Sequence, residues 1–334
     1  CILVTEADES DGTQAFMHAS IAVVTNIEDD HCWSVGGIQA LEDCFARFAN
    51  QAKTLVAWDQ DGTRRILDTH PNIAFFSDAD IPKKLSLPVP GKHNRMNATL
   101  AIAAAERIGV PCDTALAALA EFSGVKRRLT EHFRAPDNST ILLEDYAHHP
   151  TELKMLLQTL RETFPDHQLT AIFQPHRFER VKRYTAEFAN LLSTVDHVVV
   201  FRPFAAWVGD GDLADPKKIA ERVKTVPCIY WDDEIDPLAK QLCELRSSDD
   251  RPRVFTVIGA GDVANLVAPL RNRLVARELT LLKLATPCLE STLTTDRSWA
   301  DLTTLGIGTA HPLVAHPADE PELAQILKFA NSAN

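Results

Sequence analysis

Short apolar runs rich in Val, Ile and Leu recur along the chain: CILVTEAD, IAVVTNI, KTLVAWD, TILLEDY, LTAIFQP, DHVVVFRP and RVFTVIGAG. Between several of them the apolar residues fall at helical spacing. Continuous apolar runs alternating with helices predict a parallel sheet covered on both faces. After His149 the spacing of Leu153, Leu156, Leu157, Leu160 and Phe164 predicts a core-facing helix that Pro165 ends. A second amphipathic helix carries Phe178, Val181, Tyr184, Phe188, Leu191 and Leu192, so residues 140 to 275 read as a doubly wound βα unit. Between residues 60 and 90 the periods shorten, which suggests short antiparallel strands before a helix from about Arg95 to Ile108. The polar HFRAPDNST suggests a domain boundary between Lys126 and Ser139, and TPCLESTLTTDRS after Ala276 reads as a linker.

A chain of 334 residues accommodates two or more cores. Its formal charge of −12, from 46 acidic against 34 basic side chains, argues against a general nucleic-acid binder and leaves anion binding to local basic clusters. No apolar run is long enough to span a bilayer. The seven cysteines are scattered without a C-x-x-C pair, which suggests neither a disulfide framework nor a zinc knuckle and fits a reducing, cytoplasmic compartment. The chain opens on Cys1 inside an apolar run and is expected to be a fragment.

Candidate chemistry lies at the ends of the predicted strands, where parallel sheets place their ligands. EADESDG puts Glu6, Asp8, Glu9 and Asp11 after the first run, and IEDDH puts Glu28, Asp29, Asp30 and His31 after the second. Two carboxylate-rich ends could share a hard cation, or be solvated acidic turns. GKHNRMNA begins a helix with Asn94 and Asn97, whose amides could read an adenine edge or cap the helix. VKRRL offers three consecutive cations, a solvated patch or a phosphate contact. In EDYAHHPTE, Pro150 suits the first helical position and makes His149 the N-cap, which places His148 and His149 at the positive end of the helix. FQPHRFER repeats the design with His176, Arg177 and Arg180, the two arginines being on one helical face. Together these ends could grip a carboxylate or phosphate.

The ordered set EADESD, TNIEDDH, GKHNRMNA, VKRR, EDYAHHPTE, FQPHRFER and GAGD resembles the Mur ligase family over roughly residues 1 to 275. The resemblance implies an α/β architecture: a truncated central ATPase-type parallel-sheet domain over residues 1–130, then a doubly wound Rossmann-like C-terminal, amino-acid-binding domain over 131–278. It implies ATP-dependent joining of L-alanine to UDP-N-acetylmuramate through an acyl-phosphate in peptidoglycan precursor synthesis, with ATP and Mg2+ required. Carried over by motif, Glu6 and His31 would ligate magnesium. Asn94 and Asn97 would read adenine, Arg128 would contact phosphate and Asp145 would hold the ribose. His148, His149, Arg177 and Arg180 would serve the alanine and the reacting carboxyl. Family members also carry a UDP-sugar domain and a G-x-x-G-K-[ST] phosphate loop, and neither occurs in these 334 residues. DHCWSVGG and FAAWVGD depart from the family's usual loops. A shorter likeness, DLTTLGIGTAHPLVAHPADEPELAQIL, is similar to the opening of the UDP-N-acetylenolpyruvylglucosamine reductase family, with Gly306 and Gly308 matching and Thr309 standing where glycine is common. It implies a linker over 279–298 and, over 299–334, a short α+β tail that starts an FAD-binding domain, FAD itself belonging to the missing remainder. Other readings are a murein-peptide recycling ligase, a metal-dependent phosphoesterase and a noncatalytic binding remnant.

Overall fold

The computed structural model describes residues 2–204, 215–245, 251–285, 292–294 and 314–332. The chain divides into two compact units, Cys1–Gly124 and Val125–Asn334.

In the first unit three strands, β1 (Ile21–Val24), β2 (Thr54–Trp58) and β3 (Ile73–Phe76), pair in parallel in the order β1-β2-β3. A one-turn helix α1 (Cys32–Val35) and the longer α2 (Ile38–Asn50) connect β1 to β2, and α3 (Asp61–Leu67) connects β2 to β3. Helices α4 (Lys92–Arg107) and α5 (Cys112–Ala120) follow. β2 is the central strand, and its Leu55, Val56, Ala57 and Trp58 are all buried. The antiparallel strands expected between residues 60 and 90 are instead a helix and a parallel strand, because a helical crossover returns the chain in the same direction. The first apolar run is also corrected: residues 2–9 form no strand, and Ile2, Leu3 and Val4 are exposed. Strand propensity is realised only by pairing, and this run pairs with no described strand.

The second unit is a six-stranded sheet in the order β4-β5-β9-β6-β7-β8. Its strands are β4 (Thr130–Arg134), β5 (Thr140–Asp145), β6 (Gln168–Phe173), β7 (His197–Phe201), β8 (Cys228–Trp231) and β9 (Arg253–Ile258). Every pair is parallel except the edge pair β4 and β5, which has a register shift between Glu131 and Phe133. All residues of β5, β6 and β9 are buried, as strands covered on both faces must be. On one face α6 (Pro150–Thr163), α7 (Phe178–Leu192) and α8 (Lys217–Arg222) pack through Leu153, Leu156, Val181, Phe188 and Ile219. The other face takes α9 (Ile235–Glu244) and α10 (Val267–Ala285), through Leu238, Leu242, Leu270 and Leu274. β9 lies between β5 and β6, so the first two βα units of the domain flank the last strand. This is a topological switch point, where α/β sheets open a crevice beyond the C-terminal strand ends.

β4 occupies part of the segment expected as a boundary loop. α10 runs through Ala285, so residues 279–285, expected as linker, are helical. The LTLLKLA run keeps the helical spacing begun at Leu270 and Leu274. A two-stranded antiparallel ladder, β10 (Thr292–Thr294) with β11 (Val314–His316), and helix α12 (Glu320–Ser332) follow. Gly306, Gly308 and Thr309 lie outside the described residues. Among the described residues no helix is long and apolar enough to cross a membrane.

Candidate active site

The β5 end of the second unit is built around Pro150. Its fixed φ starts α6, and His149 becomes the N-cap with an extended backbone, as expected from the sequence. The His149 ring accepts from Thr151 N through Nδ1 at 3.4 Å. Glu152 closes the capping box by accepting the backbone N–H groups of His148, at 3.0 Å, and His149, at 3.2 Å. Its other oxygen, Oε1, takes Arg128 Nη1 at 3.2 Å, and His148 Nδ1 lies 3.5 Å from Oε2. Burial alone would raise the Glu152 carboxyl, but the His148 charge, these N–H groups and Arg128 together hold it below its ordinary value.

Asp145, the last residue of β5, is buried. Each of its oxygens accepts a backbone N–H, Oδ1 from Ala147 and Oδ2 from Leu129, both at 2.8 Å. Burial still pushes its pKa up to about 6. The structure therefore places Asp145 under the VKRRL turn and gives it two partners in its own backbone. Arg127 and Leu129 adopt left-handed backbone angles in this turn. Arg127 donates to Glu144 Oε1 at 2.8 Å and to the Gly259 carbonyl at 2.7 Å, joining the ends of β5 and β9. Both Arg127 and Arg128 lie over the Tyr146 ring, at 4.8 and 5.5 Å from its centroid. The His132 ring, at the β4 irregularity, meets the second Glu144 oxygen at 2.8 Å. Arg127, Glu144, Tyr146 and Glu152 lie inside VKRRL and EDYAHHPTE without having been singled out there, and Glu152, three residues after the His149 cap, follows the capping-box rule.

At the β6 end, Gln174 is completely buried and spans three segments. Its amide nitrogen donates to Arg202 O at 3.0 Å and Asp262 Oδ1 at 2.5 Å, and its oxygen accepts Val263 N at 3.0 Å. Gly261 is required beside it, since a Cβ there would lie 2.4 Å from Gln174 Oε1. His176 stacks flat on Phe204, with 5.5 Å between centroids and 10° between planes. Arg177 is the N-cap of α7 with a left-handed φ of 69°, a strained setting for a residue with a side chain. Its Nε is buried with no hydrogen-bond acceptor. Arg180, in the first turn of α7, is fully buried, and its Nη1 reaches His176 Nδ1 at 3.2 Å.

The β5 and β6 ends meet. The His148 and His176 ring centroids are 5.4 Å apart, and Tyr146 packs edge-on against His148 at the same separation. His149 turns instead to Tyr184 of α7, 5.2 Å away. Of the residues expected to serve the amino acid, the structure thus joins His148 to Arg180 through His176 and sets His149 one ring aside. Arg177 Nε, in the residue that follows His176, is a buried guanidinium nitrogen without an acceptor, a setting for an anionic oxygen.

The acid-rich ends of the first unit are arranged differently. They lie side by side, since Ser34 Oγ donates to the carbonyls of Ser10, at 2.5 Å, and His31, at 2.7 Å. The carboxylates, however, fold onto their own turns. Asp8 accepts Ser10 N at 2.8 Å and Asp11 accepts Thr13 N at 2.9 Å, which holds the Asp11 carboxyl below the usual range. Glu6 is exposed, and His31 Nε2 lies 3.6 Å from Asp30. Among the described residues no group of three or more His, Cys, Asp or Glu side chains is placed to hold a metal ion. Asn94 is in the first turn of α4 and its amide donates to Pro90 O at 2.6 Å, while Asn97, one turn on, is exposed.

Residues 127–262 match the family model described as Mur ligase, glutamate ligase domain. Over most of its length the chain is similar to proteins named UDP-N-acetylmuramate–L-alanine ligase. That of Flavobacterium psychrophilum is 31% identical over 299 residues, covering 82% of this chain and 63% of the relative. That of Thermobifida fusca is 29% identical over 304 residues, covering 79% and 63%. Among solved structures, the UDP-N-acetylmuramate–alanine ligase MurC from Thermotoga maritima superposes with a TM-score of 0.63 at 26% identity, covering 82% of this chain and 63% of that one. MurF ligase from the same organism, crystallised in complex with ADP, shares the fold with a TM-score of 0.58 at 16% identity. The chain thus spans about 63% of the length of these two relatives.

Proposed function

We propose that the chain is part of a cytoplasmic enzyme that joins L-alanine to UDP-N-acetylmuramate at the expense of ATP, and that its second unit binds the amino acid. Support comes from the likeness to alanine ligases over about four-fifths of the chain and from the chemistry at the β5 and β6 ends. The observation that carries the reading is the buried, acceptor-less Nε of Arg177, the residue that follows His176, at the strand ends where His148, His176 and Arg180 meet. An α-carboxylate supplies the missing acceptor, and the neighbouring imidazoles suit an amine that must shed a proton before attacking an acyl-phosphate. ATP supplies the phosphoryl group that makes the sugar acid reactive. Asn94, Asn97, Arg128 and Asp145 are the chain's candidates for contacting it, and Glu6 and His31 for its magnesium.

Arg177→Ala should weaken L-alanine binding by about 10–100-fold, the worth of a charge-assisted hydrogen bond or two. Calorimetry with L-alanine on the whole chain checks this, and unchanged affinity would discard the assignment. For the whole activity, ADP release by the full-length parent that depends on both UDP-N-acetylmuramate and alanine is the expected result. Release driven by a tripeptide and not by alanine would favour the recycling class. That class has a fold relative in a murein peptide ligase from Psychrobacter arcticus, with a TM-score of 0.54 at 19% identity.

A further inference from the structure

The GAGD turn, residues 259–262, ends β9 at the switch point yet holds none of the candidate site residues. Its geometry is nevertheless specified from several sides. Gln174 N donates to Ile258 O at 2.8 Å, Gly259 N to Asp145 O at 2.9 Å, and Arg127 Nη2 to Gly259 O at 2.7 Å. The Asp262 carboxylate takes Gln174 Nε2 on Oδ1 and Arg202 Nη2, at 2.7 Å, on Oδ2. Gln174 Nε2 also donates to Arg202 O, so the turn grips Arg202 directly by its side chain and, through Gln174, by its backbone. Arg202 lies two residues before Phe204. A Cβ on Gly261 would lie 2.4 Å from Gln174 Oε1 and 2.5 Å from Phe204 Cβ. Phe204 Cβ is bonded to its own backbone and cannot swing aside, so the missing side chain at 261 sets where Phe204 sits.

Phe204 in turn holds the strained residue of the site. Its N–H donates to Pro175 O at 3.0 Å and its carbonyl accepts Arg177 N at 2.9 Å, two bonds that flank His176, and its ring lies flat on the His176 ring. Arg177 has a φ of 69°, which a residue with a side chain keeps only where its surroundings enforce it. We propose that Gly261 and Asp262 are positioning residues for the carboxylate of the amino acid: they act through Phe204, which holds the Arg177 backbone in its left-handed form and so aims the buried Nε. This role rests on the reading of Arg177 as the carboxylate's anchor. The Arg202 and Asp262 side chains are 38% and 32% exposed, and an ion pair so exposed contributes little to stability. What it supplies is direction, since the 2.7 Å contact fixes the separation of the β7 and β9 ends. A displacement of Phe204 reaches Arg177 through one backbone hydrogen bond.

Nitrogen-15 NMR of the Arg177 Nε–H, assigned from its loss in Arg177→Lys, and calorimetry with L-alanine, both on the whole chain, test this. In Gly261→Ala the Nε–H resonance should move and exchange faster with water, and L-alanine should bind about 10-fold more weakly, the scale of an anchor displaced and not removed. Asp262→Asn keeps the shape of the side chain but not its charge towards Arg202. It should shift the same resonance and weaken binding about 3-fold, with a urea midpoint close to the parent's, and it serves also if Gly261→Ala fails to fold. An unmoved Nε–H with parental affinity in Asp262→Asn overturns the proposal. So does a variant whose urea midpoint falls while both other readouts stay put, since the turn is then a structural support alone. If the parent itself does not bind L-alanine, the amino-acid reading falls and the substrate role with it, and the Nε–H response still decides whether residues 261 and 262 position Arg177. If Arg177→Ala weakens binding and Gly261→Ala does not, the reading stands and the positioning role falls.

Discussion

The two units place polar side chains at the ends of parallel strands, and among the described residues those of the second are tied across its sheet by side chains from several strand ends. In the first, Asp8 and Asp11 accept from backbone two residues further on, and His31 turns to its neighbour Asp30. In the second, partners come from distant parts of the chain. Arg127 spans to Gly259, Gln174 to Asp262, and His148 meets His176. Topology accounts for the difference. A three-stranded run of β1, β2 and β3 in chain order sets consecutive connections beside one another. Inserting β9 between β5 and β6 brings three separate turns to one crevice.

Core truncation under the crevice should have the largest effect. Leu153→Ala, at a fully buried position on α6, is expected to cost about 2–5 kcal/mol in urea unfolding of the second unit. Breaking the network is next. Glu144→Ala strips the partner from both Arg127 and His132 and should cost about 1–3 kcal/mol, whereas Asp8→Ala, on a local turn of the first unit, should stay within about 0.5 kcal/mol. Equal losses would erase the contrast between shared and local networks.

Asp145 sharpens the comparison through pH. Burial raises its folded pKa to about 6 from an ordinary 3.8, so the folded state binds its proton more tightly than the unfolded chain. That contribution is fully present below pH 3.8 and is lost as pH rises through about 6, by up to roughly 3 kcal/mol. Asp145→Asn should remove this slope from the stability curve apart from a constant offset for the lost backbone acceptor, and a slope identical to that of the parent would refute it. The smallest effect is expected at Asn97, whose exposed side chain should allow Asn97→Ala with a stability change within about 0.5 kcal/mol.

Much of this was legible before any coordinates. The runs that become β2, β5, β6, β7 and β9 are central or well-covered strands whose apolar residues must be continuous, and β1, an edge strand, was legible from its IAVV run alone. The α6 and α7 stripes, and the His149 cap ahead of Pro150, follow local rules. β4 and β8 were not legible because edge strands pair on one side only and tolerate residues such as Glu131 and His132, or the short CIYW. The apolar opening run misled in the other direction, since residues 2–4 satisfy strand propensity without acquiring a partner.

The sequence by itself determined the strands β5, β6, β7 and β9 and the helices α6 and α7 of the second unit, where α6 begins, and which histidines and arginines stand at strand ends, because periodicity, proline and capping act within a few residues. Tertiary structure alone decided that Glu144, Tyr146, Glu152 and Gln174 join the site and that Asp145 is enclosed by the Leu129 and Ala147 backbone. It also decided that Arg180 faces His176 Nδ1. Those outcomes depend on strand order, which brings side chains together across the sheet, and on burial, which makes the choice of each hydrogen-bond partner obligatory.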